Sequence, residues 1–369
     1  MLDKVSVLHA TRGFNLLLRR KTPPRSSRTA HYSTRLAMSF GSSSRQSDAV
    51  FPIYVSGIHS HKILGSHQKE FKLPEGGVLL WEAESKSTSF QEDNFNSHLY
   101  LGNANTSQFG TQLLWSPCLP STHTLSSQNF HAFPLGTVCV ADTQVSGKGR
   151  SSNVWESPKG CLMFSFTLQM DNGHMLPFLQ YVVSIALVDA IHHVTLLKGL
   201  PILPVKIKWP NDIYANGVKI GGVLCSSTYR EKKFDVVAGI GLNVGNQKPT
   251  TCLDTLLQEV VSEAPLYKRE ELLAAFFVKF EALFERFNTE GFGPLQSSYY
   301  EKWLHSGQEV VLEERQQDNS TVRVSLTIQG LTPTGYLLAT DDQMDPYELH
   351  PDGNSFDFMK GLVRTKLQP

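Results

Sequence analysis

In the stretch KIKWPNDIYANGVKIGGVL, residues 206–224, the dipeptide Asn216-Gly217 constrains the fold more than any other pair of neighbours. Asn-Gly takes positive φ at both central positions of a type I′ turn, whose twist matches that of a β-hairpin. A two-residue loop also sets the register. Ala215 opposes Val218, Tyr214 opposes Lys219, and Asp212 opposes Gly221. Opposed residues share a face of the sheet, and so do residues two apart on one strand. Asp212 and Lys219 are therefore diagonal neighbours on one face, within reach of each other. Gly221 and Gly222 follow and remove side chains where something approaches the backbone. Pro210 ends the preceding strand, so Asn211 and Asp212 stand at a strand-to-hairpin corner. A solvated ion pair on a surface hairpin satisfies the same pattern, and Trp209 also fits a plain core position.

Upstream, TQVSGKGRSSNVWESPKG spans Thr143 to Gly160. Gly147, Lys148, Gly149 and Arg150 join flexible backbone to two cations, a combination that folds over an anion and neutralises phosphate charge. The loop lacks the G-x-x-x-x-G-K-[ST] spacing of a Walker A loop and the G-x-G-x-x-G of a dinucleotide fingerprint. No helix is expected after it, so no helix N-terminus holds the phosphate. Trp155 covers an aromatic base or fills core on this reading. A solvated basic loop is the plain alternative.

Around these segments, TQLLWSPC, GTVCVADTQ, CLMFSFTLQM, VKIKW and DVVAGIGLNVG read as strands. LPFLQYVVSIALVDAIHH and KREELLAAFFVKFEALFERFN have helical periodicity, the second ending before Gly291. A strand is expected at GGVLLWEAES, with a polar stretch behind it. A further helix ends near His305. Beyond it QEVVLEER, TVRVSLTIQGL, GYLLATDD and SFDFMKGLVRTKL read as short strands of a small barrel. The chain of 369 residues is 40% hydrophobic and 18% charged with zero formal net charge, so nothing global points to nucleic acid. Five cysteines without a CxxC pair read as reduced thiols rather than a disulfide framework or zinc site. Uninterrupted apolar runs are too short for a membrane span. Residues 1–47 hold nine Lys or Arg, thirteen Ser or Thr and a single acidic residue, Asp3. That composition predicts a disordered organelle transit peptide, for chloroplast or mitochondrion. Met38 lies inside it, and an internal start there predicts a shorter cytosolic product.

TQxSGKGRxxxxW, followed by KWPND, a lysine seven residues after the aspartate and then GGVL, resembles the biotin–protein ligase family, plant-like members above all. Ser121-Thr122-His123 is similar to the family's Ser-Thr-Asn biotin motif, and GIGLNVG to its adenylate-side strand. HSGQEV and HPDGNSFD are similar to its C-terminal barrel. The resemblance covers roughly residues 111–369 and implies an α+β fold. Residues 111–302 would form a mixed-sheet, class II synthetase-like catalytic domain and residues 303–369 an SH3-like β-barrel, with an N-terminal extension at 48–110. It implies ATP-dependent formation of biotinyl-5′-AMP and transfer of biotin to a lysine of carboxylase carrier domains. Lys219, Asp212 and Arg150 would be the catalytic residues. Ser121, Thr122, His123, Gln144, Gly147, Lys148, Gly149, Arg150, Lys219, Gly221 and Gly222 would bind biotin. Trp155, Asn211, Asn243 and Lys148 would bind the nucleotide. Mg²⁺ would accompany ATP, with no certain protein metal ligand, and no nucleic-acid or membrane partner is implied. Two positions depart from the family pattern. Lys148 stands where Arg is usual and loses the planar fork, and His123 replaces Asn. A lipoate–protein ligase and a non-catalytic biotin-binding regulator remain the alternatives.

Overall fold

The computed structural model describes residues 51–57, 71–81, 93–150, 153–315, 320–351, 354–357 and 360–365. The expected transit segment, Met38 within it, and Asp352-Gly353 of the C-terminal motif lie outside the described residues.

In chain order the first elements are β1 (Phe51–Gly57), β2 (Gly77–Trp81), helix α1 (Ser97–Asn103), β3 (Gln112–Ser116), helix α2 (Thr122–Gln128), β4 (Val138–Ala141), β5 (Gly147–Lys148), β6 (Val154–Trp155) and β7 (Cys161–Met170). Helix α3 (Leu176–Leu197) precedes β8 (Val205–Lys208), β9 (Asp212–Ala215), β10 (Val218–Arg230) and β11 (Lys233–Asn243). Helices α4 (Leu253–Val260), α5 (Arg269–Glu290) and α6 (Gln296–Lys302) follow. Nine strands make one mixed sheet in the order β2-β1-β3-β4-β7-β11-β10-β9-β8, and β5 and β6 form a separate ribbon.

Period-two patterning decides which way each central strand faces. On β7, Leu162, Phe164, Phe166, Leu168 and Met170 enter the main apolar core, while Ser165 turns to the other face and meets Thr122. The core is closed by α5, whose Phe276, Phe277 and Phe280 recur at helical spacing. Phe280 packs 4.9 Å from the Phe166 ring and Phe276 5.1 Å from Phe164, both near edge-to-face. Helix α3 packs on α5. Residues Gly173–Leu197 are long and apolar enough to cross a membrane, yet 61% of the most apolar window is buried in the protein. Polar residues such as Asp189 and His192 interrupt its apolar runs, and it is a core helix of the protein. Its hydrophobicity on all sides answers to the sheet on one side and α5 on the other.

Two strands before Gln112, β1 and β2, belong to this sheet. β1 pairs parallel with β2 and antiparallel with β3. Behind it, Arg269 of α5 binds buried Asp142 at 2.7 Å and donates to the Asp93 carbonyl at 3.0 Å. Asp142 also accepts the Phe95 N–H at 3.1 Å. Burial raises the Asp142 pKa, and the Arg269 guanidinium opposes that rise.

The hairpin turn forms as expected, with φ of 49° at Asn216 and 76° at Gly217. Its register holds for Ala215↔Val218 and Tyr214↔Lys219 and then slips. A bulge at Ile220 pairs Gly221 with Ile213 and Gly222 with Asp212, correcting the expected Asp212–Gly221 pairing. Ile220 is fully buried, and the side-chain-free glycines beside it tolerate the extra residue. The last stretch, read as one strand, is two: β16 (Asn354–Asp357) pairs antiparallel with β17 (Leu362–Thr365). With β12 (Glu309–Arg315), β13 (Thr321–Leu331), β14 (Leu337–Thr340) and β15 (Pro346–Leu349) they form a curled six-stranded sheet. This sheet is tied to the main one: the Leu304 N–H donates to the Ile207 carbonyl at 2.9 Å.

Arg269→Met leaves the Asp142 carboxylate buried without its cation. Breaking such a pair costs about 3–5 kcal/mol. Urea denaturation is expected to show a loss of that order, and a loss below about 1 kcal/mol would mean the pair does not hold α5 to β4.

Candidate active site

On β11, Val236, Ala238, Ile240 and Leu242 face the helices. The alternate residues Gly239, Gly241 and Asn243 floor a cavity of about 690 Å³, within the size range of small-molecule sites, roughly 300–1,000 Å³. Gly241 is required by close approach, and Gly239 is tightly covered. A Cβ on Gly239 would stand 3.1 Å from the His123 ring, and one on Gly241 would stand 2.6 Å from Trp155 Nε1.

The walls bring together most of the residues singled out in the sequence. Ser121, Thr122 and His123 come from the start of α2. The sequence reading left this segment without a helix, because seven residues show too little periodicity. The available signal was Ser121 as an N-cap, whose Oγ accepts the Thr124 N–H at 3.4 Å. Gln144 is held at both ends: Oε1 accepts the Thr122 N–H at 2.8 Å, and Nε2 donates to Ser157 Oγ at 2.9 Å. Thr122 Oγ1 lies 2.9 Å from Ser165 Oγ. Lys148, Gly149, Arg150 and Trp155 line the opposite wall, and Asn211, Asp212, Lys219 and Gly222 complete it.

Lys219 Nζ lies 2.6 Å from Asp212 Oδ1, so the diagonal pair forms despite the bulge. It also lies 5.4 Å from the centre of the Trp155 ring, a cation–π distance. Arg150 donates to Asn211 Oδ1 at 3.1 Å, and the Asn211 amide donates to the Val223 carbonyl at 2.6 Å. Asn211 thus holds the basic loop against the hairpin. Asn243 donates to Thr250 Oγ1 at 2.9 Å, and Thr250 in turn donates to the Lys219 carbonyl at 2.8 Å. Asn243 braces the backbone that carries the lysine.

Gly147 and Gly221 stand just behind the residues that line the cavity. A Cβ at Gly147 would meet the Trp155 carbonyl at 2.5 Å, and one at Gly221 the Gly241 carbonyl at 2.9 Å. Both are packing positions behind the wall.

Three contributors carry no mark in the sequence reading. Lys208 is 14% exposed, with Nζ 3.7 Å from Asp212 Oδ2. Burial lowers its pKa, and the Asp212 carboxylate opposes the shift. The alternation Val205-Lys206-Ile207-Lys208, buried and outward in turn, was the signal for it. Phe356 and Pro351 reach the cavity from the C-terminal sheet; no local pattern marks such long-range neighbours. His305 anchors this junction. Its Nε2 accepts the Trp209 N–H at 2.9 Å, so the ring proton sits on Nδ1, 2.8 Å from Gln308 Oε1. Burial lowers the His305 pKa to about 4, which keeps that acceptor neutral near pH 7.

Four cations, Lys148, Arg150, Lys208 and Lys219, line the cavity with two carboxylates, Glu156 and Asp212. This surplus suits an elongated anionic ligand. Among the described residues no group of three or more His, Cys, Asp or Glu is placed to hold a metal ion, and Asp212 is already engaged by two lysines.

The class to which this fold and site belong is the biotin/lipoate ligases. The sequence model of the Biotin/lipoate A/B protein ligase family matches residues 115–243. Biotin–protein ligase 1, chloroplastic, of Arabidopsis thaliana is 51% identical over 340 residues, spanning 90% of this chain and 92% of that protein. The biotin–protein ligase of Homo sapiens is 33% identical over 322 residues, 84% of this chain and 43% of the human one. A variant of the Aquifex aeolicus biotin protein ligase, solved with biotin, has a similar fold. Its TM-score is 0.50 at 24% identity, over 64% of this chain and 94% of that one. The chain belongs to the biotin–protein ligase family and is a ligase.

Gly241→Ala is expected to push Trp155 off the cavity floor. Misplacing a positioning group by about 1 Å can cost up to about 100-fold in rate. Pyrophosphate release should fall by about ten- to a hundred-fold while the melting temperature stays near native; unchanged turnover would mean that the Trp155 position is immaterial.

Proposed function

We propose that this enzyme activates biotin with ATP and then biotinylates one lysine of a carboxyl-carrier domain. A biotin carboxylate oxygen attacks the α-phosphorus of ATP, and pyrophosphate leaves. The ε-amine of the carrier lysine then attacks the acyl carbon of biotinyl-5′-AMP, the acyl–phosphate bond breaks, and AMP leaves with one proton lost from the amine. The Lys219–Asp212 pair at 2.6 Å, facing a cation-rich cavity of about 690 Å³, carries this reading.

No protein nucleophile takes part, so acceleration comes from positioning and from charge matched to the transition state. Lys219 approaches the biotin carboxylate and neutralises charge growing on the α-phosphate oxygens. Asp212 orients Lys219, and Lys208 adds a second cation at the same carboxylate. Arg150 and Lys148 close over the adenylate, with Trp155 beside the base. Ser121, Thr122 and His123 lie toward the bicyclic ring of biotin, with Gln144 ordering Thr122. Mg²⁺ would accompany the triphosphate and offset its charge; among the described residues no group of three or more His, Cys, Asp or Glu is placed to hold it. The basic segment of residues 1–47 delivers the chain to the chloroplast, in keeping with the name of the Arabidopsis relative. Mitochondrial delivery by the same segment and a cytosolic product starting at Met38 extend that proposal.

Lys219→Ala is expected to lower biotinyl-AMP formation by about 10²–10³-fold, the usual effect of losing one such electrostatic contact. Pyrophosphate release with biotin, and with lipoate as the competing substrate, measures it on the native enzyme and the variant. Near-native turnover by the variant removes Lys219 from the chemistry, and preference for lipoate overturns the substrate.

For targeting, residues 1–60 fused to a fluorescent protein should enter chloroplasts, and the Met1→Ala fusion should remain cytosolic. Absence of cytosolic fluorescence from the second fusion rules out the Met38 start.

A further inference from the structure

Beside the cavity already described lies a second of about 340 Å³, lined by Ser127, His131, Ser226, Thr228, Asp235 and Val237 among others. The two share the same face of β11. Gly239 and Gly241 floor the larger cavity, and Val237 and Asp235, the next residues of that alternation, line the smaller one. His123 stands at the division. Its ring covers Gly239, its Nε2 lies 3.0 Å from Ser226 Oγ, and its Nδ1 lies 3.4 Å from Ser127 Oγ. Ser226 is the cross-strand partner of Val237. The imidazole therefore bridges α2 to β10 across the floor strand, and its partners Ser226, Ser127 and the Val237 backbone all belong to the second cavity.

We infer that His123 is the specificity-determining wall at the ring end of the biotin site, and that the cavity behind it is a subsite for a small polar substituent on the bicyclic ring. The inference rests on the proposed orientation of biotin, with its carboxylate at Lys219 and its ring toward α2. Several polar groups reach the subsite. His131 Nε2 lies 3.1 Å from Asp235 Oδ2, Gln169 donates to Asp235 Oδ1 at 2.7 Å, and three serines and a threonine supply hydroxyls. A hydroxylated substituent finds partners there that a bare alkyl chain does not. With the imidazole in place the gap over the floor strand is tight, since a Cβ built on Gly239 would already stand 3.1 Å from the His123 ring, and a ring substituent directed past it must displace the imidazole.

The test uses the full-length protein and pyrophosphate release, with biotin and with two isomers of biotin carrying a 2-hydroxyethyl group on one or the other ureido nitrogen. The native enzyme is expected to discriminate against both isomers. In His123→Ala the ratio of kcat/KM for one isomer to that for biotin should rise by about ten-fold or more, the scale of a pocket opened by a few atoms. Adding Val237→Phe, which fills the second cavity, should return the ratio to its native value. A ratio unchanged in His123→Ala overturns the inference, and so does a gain that survives Val237→Phe. Failure of the native enzyme to turn over biotin would instead sink the functional reading. If either variant loses its native melting transition, His123→Ser and Val237→Leu take its place in the same comparison.

Discussion

Strand β11 must satisfy two opposite demands along eleven residues. Its helix-side face carries Val236, Ala238, Ile240 and Leu242 into the aromatic core under α5. Its other face has to be nearly bare, because His123 and Trp155 lie directly on Gly239 and Gly241. A period of two leaves no intermediate choice: shifting the strand by one residue would drive the aliphatic side chains into the cavity and the glycines into the core. The ten-residue pairing of β7 with β11 and the ten-residue pairing of β10 with β11 hold that register from both sides. The site is therefore placed by the same constraint that packs the core.

On this floor the charged groups are supported rather than free. Lys219 is fixed through its carbonyl by Thr250 and Asn243, and through its ammonium by Asp212 and the Trp155 ring. Asp212 sits three residues beyond Trp209, whose N–H is taken by neutral His305, so the C-terminal sheet reaches the hairpin corner through one buried hydrogen bond. Trp209 Nε1 donates to Tyr181 of α3 at 2.9 Å, which ties the same corner to the core helix. Such bracing keeps cations aimed at a fixed point, and a fixed dipolar environment is what electrostatic catalysis requires.

Much of this was legible in the chain because local rules act over short distances. The Asn216-Gly217 turn, the β7 run and the α5 periodicity each declare themselves within a dozen residues. The bulge at Ile220 did not, since it depends on burying an isoleucine against helices far away in sequence. β1 carries Pro52, a residue unusual in a strand paired on both sides, and only its pairing with β2 and β3 identifies it as part of the sheet. The backbone packing at Gly147 and Gly221 was equally invisible. A glycine that admits a ligand and one that admits a neighbouring carbonyl look alike in sequence, and only the carbonyls of Trp155 and Gly241 tell them apart.

The two departures from the family pattern fall close together in space. Burial first, and the Lys148 ammonium second, lower the His123 pKa to about 4, with the Val237 carbonyl acting the other way. The imidazole is therefore neutral near pH 7, and its ring nitrogens meet two serine hydroxyls. Had it carried charge, a fifth cation would have joined a wall that already holds four. A neutral histidine instead keeps the site's charge as an asparagine would, while presenting a larger, flatter surface over Gly239. Lysine at 148 likewise preserves charge but gives up the rigid fork of arginine, leaving Arg150, anchored on Asn211, as the planar group with a fixed direction. The pair of substitutions thus conserves the electrostatics of the cavity and alters its shape.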